Sequence, residues 1–270
     1  MSKITAKKDK YSFDKVNHIH FLNGRPLMGT TTILKVLSKP LTWWASALAV
    51  QKFGWLDPKK HTEEERREAA IKERDAIASL SIEDYSKFLD GAYRAHSDEL
   101  KKAADKGTDL HGTVKDYIKS QLEETSFIKI GDVLDTFIAW RKENIKKFLF
   151  AETHCYSSRL WIGGIADFGY LDREGRFILA DIKSSAEIYF DHVAQLGGYQ
   201  IQIEENGPHD EFGKSIKLKT KKQIEGHAIF TFRGGFIKPS ISYQVERNKN
   251  LFEKVLSVYK IKKDFDREKF

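Results

Sequence analysis

The chain has 270 residues, of which 40% are hydrophobic and 12% aromatic, and this composition excludes intrinsic disorder and supplies a substantial core. Its one cysteine, Cys155, excludes a disulfide within the chain and a zinc or iron–sulfur centre held by three or four thiolates. Lysine and arginine outnumber aspartate and glutamate by 46 to 39, for a net charge of +7, which favours contact with polyanions but is also common in proteins that never bind nucleic acid.

The sequence gives no sign of a membrane segment. No run approaches the roughly 18 consecutive apolar residues of a membrane span. The first residues, MSKITAKKDKYSF, lack the apolar centre of a secretion signal. We therefore expect no membrane partner and a reducing, cytoplasmic location.

The first half of the sequence predicts a hairpin followed by helices. Asn23-Gly24 is a typical hairpin turn, and the threonine-rich segment after it predicts a short helix that stops near Pro40. The segment LTWWASALAVQKFGWL predicts a helix whose tryptophans pack in a core, which we favour over base stacking. Over residues 61–124, and again from Asp132 to about Leu149, apolar residues recur at the spacing of helices.

The second half changes to the alternating pattern of strands. Two strands are predicted in AETHCYSSRLWIGGIADFGYLD, a third in GRFILADIKSS, a helix in IYFDHVAQLGGYQIQIEEN, strands in EGHAIFTFRGG and SISYQVER, and a closing helix in NLFEKVLSVYKIKKDF. The predicted fold class is mixed α/β or α+β, with a central mixed sheet flanked by helices. We expect a helical amino-terminal lobe over residues 1–105, integrated with a core over residues 106–270.

Three charged residues lie on two strands that are otherwise apolar. Asp181 and Lys183 are two residues apart and share one face of their strand, and the turn before this strand brings Asp167 to the same end. A buried ion pair would explain Asp181 and Lys183, but it is a poor source of stability. Two carboxylates and one lysine also leave a negative charge that a divalent cation would neutralise. The hairpin alone favours neither explanation.

Residues on either side of the hairpin extend the pattern. Gly163-Gly164 leaves room for a close approach to the backbone. Gln195 and Tyr199 lie four apart on one helix face, and the two glycines between them are better tolerated if another backbone or a ligand lies against the helix. His111 lies on a helix near Gly107, where a histidine without a functional role would be the ordinary explanation.

Together these residues resemble the RecB-like branch of the PD-(D/E)XK nuclease superfamily. The matching motifs are G-x-x-D (Gly164 to Asp167), D-x-K (Asp181, Lys183), Q-x-x-x-Y (Gln195, Tyr199) and, before them, G-T-x-x-H (Gly107, Thr108, His111). The segment GTTTILKVLSKPLTWWASALAV also resembles the amino-terminal region of phage and mitochondrial exonucleases of this kind. Ala166 stands where the superfamily name has proline, which contributes no ligand atom. The resemblance implies a restriction-endonuclease-like core.

The resemblance also implies a role for each matching residue. Asp167, Asp181, His111 and the backbone carbonyl of Ile182 are expected to bind one or two Mg²⁺ or Mn²⁺ ions. Lys183 is expected to orient or deprotonate the attacking water, with its neutral form favoured by the nearby cations, and Gln195 and Tyr199 to position the nucleic acid or Lys183. Glu152, where similar phage proteins often have a glutamate, is expected to act outside the first coordination sphere, or else to be an exposed strand residue.

The function expected from this resemblance is a metal-dependent DNA exonuclease of recombination, repair or phage DNA metabolism. The alternatives are an endonuclease for flap or branched DNA and a non-catalytic DNA-binding recombination partner. The substrate is single- or double-stranded DNA, a strand-annealing or recombination protein is a candidate partner, and a phage-encoded chain would act in the host cytoplasm. A basic run is a candidate nucleic-acid contact or a solvated loop: Lys214, Lys217, Lys219, Lys221 and Lys222.

Overall fold

The computed structural model describes residues 9–38, 41–127, 132–185, 187–233 and 236–268. Its strands are β1 (Tyr11–Asp14), β2 (Ile19–Leu22), β3 (Arg25–Pro26), β4 (Met28–Gly29), β5 (Ile145–Ser157), β6 (Ile162–Asp172), β7 (Phe177–Lys183), β8 (Ile224–Arg233) and β9 (Phe236–Ser242). Its α-helices are α1 (Thr30–Leu34), α2 (Thr42–Gln51), α3 (Glu63–Ala78), α4 (Ile82–Glu123), α5 (Asp132–Asn144), α6 (Phe190–Asn206) and α7 (Val245–Glu268).

A mixed sheet forms the centre of the larger part of the chain. Its strand order is β4-β6-β7-β8-β9, and β5 also pairs with β6. The pairs β4–β6 and β7–β8 are parallel, and the others are antiparallel. Strands β1, β2 and β3 form a separate small antiparallel sheet, in which Asn23 and Gly24 make the predicted hairpin turn. Mixed pairing of this kind confirms the predicted fold class.

Helices cover the sheet on both faces. On one face, Val114 and Ile118 of α4 and Phe137 of α5 pack against Phe168 and Phe230 of the sheet. On the other face, α6 and its neighbour α7 enclose a second and a third group of buried apolar side chains. In the part of the chain that the structure describes, no helix is long and apolar enough to cross a membrane.

The alternation predicted for β7 is present. Phe177 and Leu179 belong to the apolar cluster beneath α6, whereas Ile178, Ala180 and Ile182 belong to the cluster beneath α4 and α5. Because side chains alternate between the faces of a strand, Asp181 and Lys183 point toward the α6 side. The strand is therefore buried on both faces, and its two charges lie at its carboxyl end.

The division of the chain into compact units differs from the predicted lobe and core. Residues 39–108 form one unit, and Met1–Ser38 joins Asp109–Phe270 in the other. The first residues join the larger unit because β4 extends its sheet by pairing with β6, and Ile33 of α1 packs against α6 and α7. In the smaller unit, α2 buries none of its residues and Trp43 is 89% exposed, so the predicted core packing is wrong for Trp43.

The helix predicted from Asp132 to about Leu149 is too long. α5 ends at Asn144, and Ile145 begins β5 opposite Asp172 of β6. Burial of Ile145, Phe148 and Phe150 beside β6 favours the strand, and two register shifts interrupt the alternation by which a strand is recognised in a sequence. The last predicted strand, SISYQVER, ends earlier than expected, because β9 runs from Phe236 to Ser242 and Val245 already begins α7.

The glycines of α6 allow α7 to approach its backbone. A Cβ atom on Gly197 would lie 2.0 Å from the carbonyl oxygen of Asn248, and one on Gly198 would lie 2.8 Å from the ring of Phe252. The sequence indicated that a backbone or a ligand lies against this helix, and the structure shows that it is the backbone of α7. Close packing here holds α6 over the end of β7.

We predict that Gly197→Ala lowers the free energy of unfolding by about 1–3 kcal/mol or more, because the new methyl group overlaps backbone atoms that have no rotamer to change. Gly112→Ala is the matched control, since Gly112 is also inside a helix but has no atom within 4 Å of the added Cβ. It is expected to raise stability by up to about 1 kcal/mol. Urea denaturation measures both, and a Gly197→Ala protein as stable as the wild type would contradict this contact.

Candidate functional site

The site forms where β6 and β7 separate. Their pairing ends at Phe168 and Ala180, and Asp167 and Asp181 are the next residue of each strand. Beyond this point β6 pairs with β4, whereas β7 continues beside β8. Separation leaves the backbone N–H of Ile182 without a β6 carbonyl, and the Asp167 carboxylate accepts its hydrogen bond at 2.7 Å. The divergence thus places two carboxylates at one opening in the sheet.

Lys183 and Asp181 form a buried ion pair within this opening. Lys183 Nζ lies 2.7 Å from Asp181 Oδ2, and the exposed fractions of the two side chains are 18% and 2%. Asp181 Oδ2 is buried, and the Lys183 ammonium is the polar group that it contacts among the described residues. A cation that binds this oxygen would therefore share it with Lys183 or displace the lysine.

A line of hydrogen bonds connects Lys183 to α6. Lys183 Nζ donates to Gln195 Oε1 at 2.9 Å, and Gln195 Nε2 donates to the Tyr199 hydroxyl at 2.8 Å. Gly164 of β6 makes room for this arrangement, because a Cβ atom there would lie 2.6 Å from the Tyr199 ring. What approaches Gly164 is therefore a side chain. These contacts join the D-x-K motif to the Q-x-x-x-Y motif.

His111 contacts Asp167 from α4. Its Nδ1 is 3.5 Å from Asp167 Oδ2. The Ile182 backbone also acts on the imidazole and favours its protonated form, although burial outweighs this effect and lowers the pKa of His111. The structure therefore brings together His111, Asp167, Asp181, Ile182 and Lys183, which the sequence assigned to one site.

Glu152 lies next to this group on β5. The ladder pairs Ala151 with Phe168 and Thr153 with Ala166, so Glu152 stands beside Asp167. Its φ of 44° is in the left-handed region, which costs a non-glycine residue free energy and often marks a functional position. Lys115 and Lys119 bind its carboxylate, at 3.1 and 3.6 Å. The Glu152 carboxylate is close enough to Asp167 to help raise the pKa of that residue.

The electrostatics of the site reflect two carboxylates in a partly buried space. The pKa of Asp167 is raised to about 8, first by burial and then by the Asp181 carboxylate. Burial alone would lower the pKa of Lys183, but Asp181 and Asp167 outweigh it and raise that pKa. Burial lowers the pKa of His111 and raises that of Tyr199, so both rings are uncharged near neutral pH. Burial and mutual repulsion therefore oppose the ionisation of both carboxylates at once.

The donor set fits a hard divalent cation. Carboxylate oxygens, such as those of Asp167 and Asp181, are the ligands that Mg²⁺ and Mn²⁺ prefer, and the neutral imidazole of His111 suits Mn²⁺. Among the described residues, however, no three His, Cys, Asp or Glu side chains converge in ready metal-binding geometry. Both carboxylates contact protein groups instead: Asp181 pairs with Lys183, and Asp167 accepts a hydrogen bond from the Ile182 N–H. Cation binding therefore requires side-chain adjustment.

Two further elements of the site were missed in the sequence. His192 is buried in the first turn of α6, where Lys183 and Asp181 both influence its pKa, which burial lowers. It precedes Gln195 by three residues and Tyr199 by seven, so helical spacing alone indicates the shared face. Lys115 and Lys119 follow His111 at intervals of four, and this spacing likewise indicates one face of α4 directed toward Glu152.

The basic run after α6 is divided by the structure. Lys217 and Lys219 line a groove that also includes Glu152, whereas Lys214 and Lys221 are exposed and do not line it. Lys222 pairs with Glu225 at 3.8 Å and lies near Gly175, in the turn at the far end of β6 and β7. The run is therefore not one continuous contact surface beside the carboxylates.

Comparison with known proteins adds no assignment: no family model and no curated protein matches the chain.

We predict that Asp167→Asn stabilises the metal-free protein increasingly as pH rises. The folded-state pKa of about 8 lies above the ordinary value of 3.8. Stability that depends on neutral Asp167 is therefore complete below about pH 4 and is lost as pH rises through 8. Asparagine keeps an oxygen for the Ile182 N–H but does not ionise.

Thermal melts in EDTA between pH 4 and 9 measure this difference, with Asp264→Asn on exposed α7 as the control. The gain in melting temperature of Asp167→Asn over the wild type should grow with pH, while the control stays parallel to the wild type. A gain that is constant across the range would refute the electrostatic account.

Proposed function

We propose that the chain is a metal-dependent DNA exonuclease. The observation that supports this most is the convergence of Asp167, Asp181 and Lys183 where β6 and β7 separate, with Lys183 linked through Gln195 to Tyr199. Four short motifs between residues 107 and 199 supply these groups and His111. An ion pair kept only for stability would need neither the second carboxylate nor the hydrogen-bonded line behind the lysine.

Asp167 and Asp181 would hold the metal, with His111 and the Ile182 carbonyl as further ligands. A bound Mg²⁺ or Mn²⁺ ion would neutralise charge on the phosphate and activate water for attack on phosphorus. Burial and then the Asp181 carboxylate raise the pKa of Asp167, and a bound cation would offset both by favouring the ionised carboxylate. Glu152 is close enough to contribute from outside the ligand set, where Lys115 and Lys119 hold it.

Lys183 is placed to act on the reacting groups. Its ammonium lies at the open end of β7 and is fixed from both sides, by Asp181 and by Gln195. In this state it is a hydrogen-bond donor, suited to orient the attacking water and to stabilise charge that develops on the phosphate. Gln195 and Tyr199 are positioning residues: Gln195 contacts Lys183, and Tyr199 in turn contacts Gln195.

DNA is the proposed substrate because the site is suited to phosphodiesters and the chain is basic overall. The preference for free ends comes from the resemblance to RecB-like exonucleases. A cytoplasmic location and a recombination partner belong to the same proposal.

We predict that end-labelled linear DNA is degraded with Mg²⁺ or Mn²⁺ and not with EDTA, while a closed circular single strand survives. Lys183→Ala is expected to reduce the rate by about 100-fold or more, the scale of loss for a group that handles the proton or charge of the reaction. Lys249→Ala is the matched control, because Lys249 is also an ion-paired lysine but pairs with Glu204 and Glu246 on the α6–α7 surface.

Cleavage of the circle would replace the exonuclease assignment by an endonuclease. If the wild type cuts neither substrate with any metal, catalysis is refuted and a non-catalytic DNA-binding role takes its place. Equal loss in Lys183→Ala and Lys249→Ala would show a general effect on folding.

A further inference from the structure

A groove with basic walls lies beside the site, within the larger unit. It has a volume of about 770 Å³ and runs along β5, between the carboxyl-terminal half of α4 and the loop after α6. Glu152 lies at its end nearest the carboxylates. From Lys146 to Glu152 the strand advances by about 20 Å, at about 3.3 Å per residue, which is enough for several nucleotides of an extended strand.

The charges of this groove are unevenly paired. Eight lysines and arginines line it, against five aspartates and glutamates. Lys115 and Lys119 pair with Glu152, and Lys15 pairs with Glu211. Five cations form no ion pair with any described residue: Arg141, Lys146, Lys147, Lys217 and Lys219. Five uncompensated cations in one depression produce a positive potential that attracts a polyanion.

The groove also contains an exposed aromatic ring on a fixed turn. Phe212 is 83% exposed. The Asp210 carboxylate accepts hydrogen bonds from the backbone N–H groups of Phe212 and Lys214, at 3.0 and 2.8 Å. Gly213, at φ +81°, packs against the carbonyl of Tyr11 so closely that a Cβ atom would lie 2.2 Å from it. The turn therefore keeps the apolar ring of Phe212 exposed to solvent, where it is available to stack on another planar group.

We propose that this groove binds a single strand of nucleic acid that continues to or from the Asp167 site, with the five unpaired cations on its phosphates and Phe212 stacked on a base. Cations along a groove with an interleaved aromatic ring suit single strands, because every unpaired base offers a face for stacking, whereas the bases of a duplex stack on each other. The inference rests on the proposed function for the direction of the strand, but its binding step requires no chemistry.

Fluorescence anisotropy in EDTA with a labelled oligothymidine of about 15 nucleotides tests binding alone. Phe212→Ala is expected to weaken binding by about 5- to 160-fold, the range for one lost base–aromatic stack. Charge reversal at two groove lysines, Lys146→Glu with Lys147→Glu, is expected to weaken binding at least as much. It should also reduce the magnitude of the slope of log affinity against log salt concentration by about 1.4, since two phosphate contacts are lost.

Controls make comparable changes on α7, which does not line the groove: removal of an exposed apolar side chain in Ile261→Ala, and charge reversal in Lys262→Glu with Lys263→Glu. They should bind as the wild type does. The variant Lys217→Glu with Lys219→Glu repeats the charge reversal on the loop after α6. It replaces the β5 variant if a thermal melt shows that the β5 variant is poorly folded. An unlabelled duplex of the same length should compete less well than the single strand.

Three results would overturn the proposal: no binding by the wild type, equal affinity of the groove variants and their controls, or equal competition by the duplex. The nuclease assay is a separate result. A protein that binds the strand through Phe212 but cuts nothing refutes the exonuclease and keeps the groove, whereas active protein indifferent to these substitutions refutes the groove alone.

Discussion

The separation of β6 from β7 is the constraint on which the site depends. Two antiparallel strands that part must find new partners for their backbone groups, since a buried N–H without an acceptor is costly. β4 and β8 supply most of them, and the carboxylate of Asp167 supplies the acceptor for Ile182. The same hydrogen bond that completes the strand therefore brings Asp167 beside Asp181. A continued ladder would have hidden both carboxylates and left no opening for a substrate.

Holding these charges together has a cost that the surrounding structure offsets. Burial and mutual repulsion raise the pKa of Asp167, and Lys183 compensates only one of the two carboxylates directly. The ordinary core around them, with large aromatic side chains such as Phe168 and Phe230 packed beneath α4 and α5, provides the stability that the site does not. Polar groups that oppose stability and converge at an opening are typical of a functional site.

Helix packing sets the geometry behind the lysine. α7 reaches the backbone of α6 at Gly197, and the Tyr199 ring reaches β6 at Gly164. With either glycine replaced by a larger residue, α6 could not bring Gln195 within 2.9 Å of Lys183. Glycine weakens a helix or a strand locally. Gly197 in α6 and Gly164 in β6 are nevertheless required, because the hydrogen bonds from Lys183 to Tyr199 depend on these two close contacts. On the other side, the left-handed Glu152 and its lysines connect the site to the groove along β5.

The sequence by itself determined the mixed α/β class, the two faces of β7 and the residues that meet at the site, because alternation, helical spacing and short motifs are local properties. It did not determine where α5 ends and β5 begins, since burial beside β6 and two bulges decide that boundary. Nor did it determine that residues before Ser38 join the larger unit, which follows from the pairing of β4 with β6. The groove and the exposure of Phe212 were decided only by tertiary structure, because lysines from α4, β5 and the loop after α6 become neighbours only when the chain has folded.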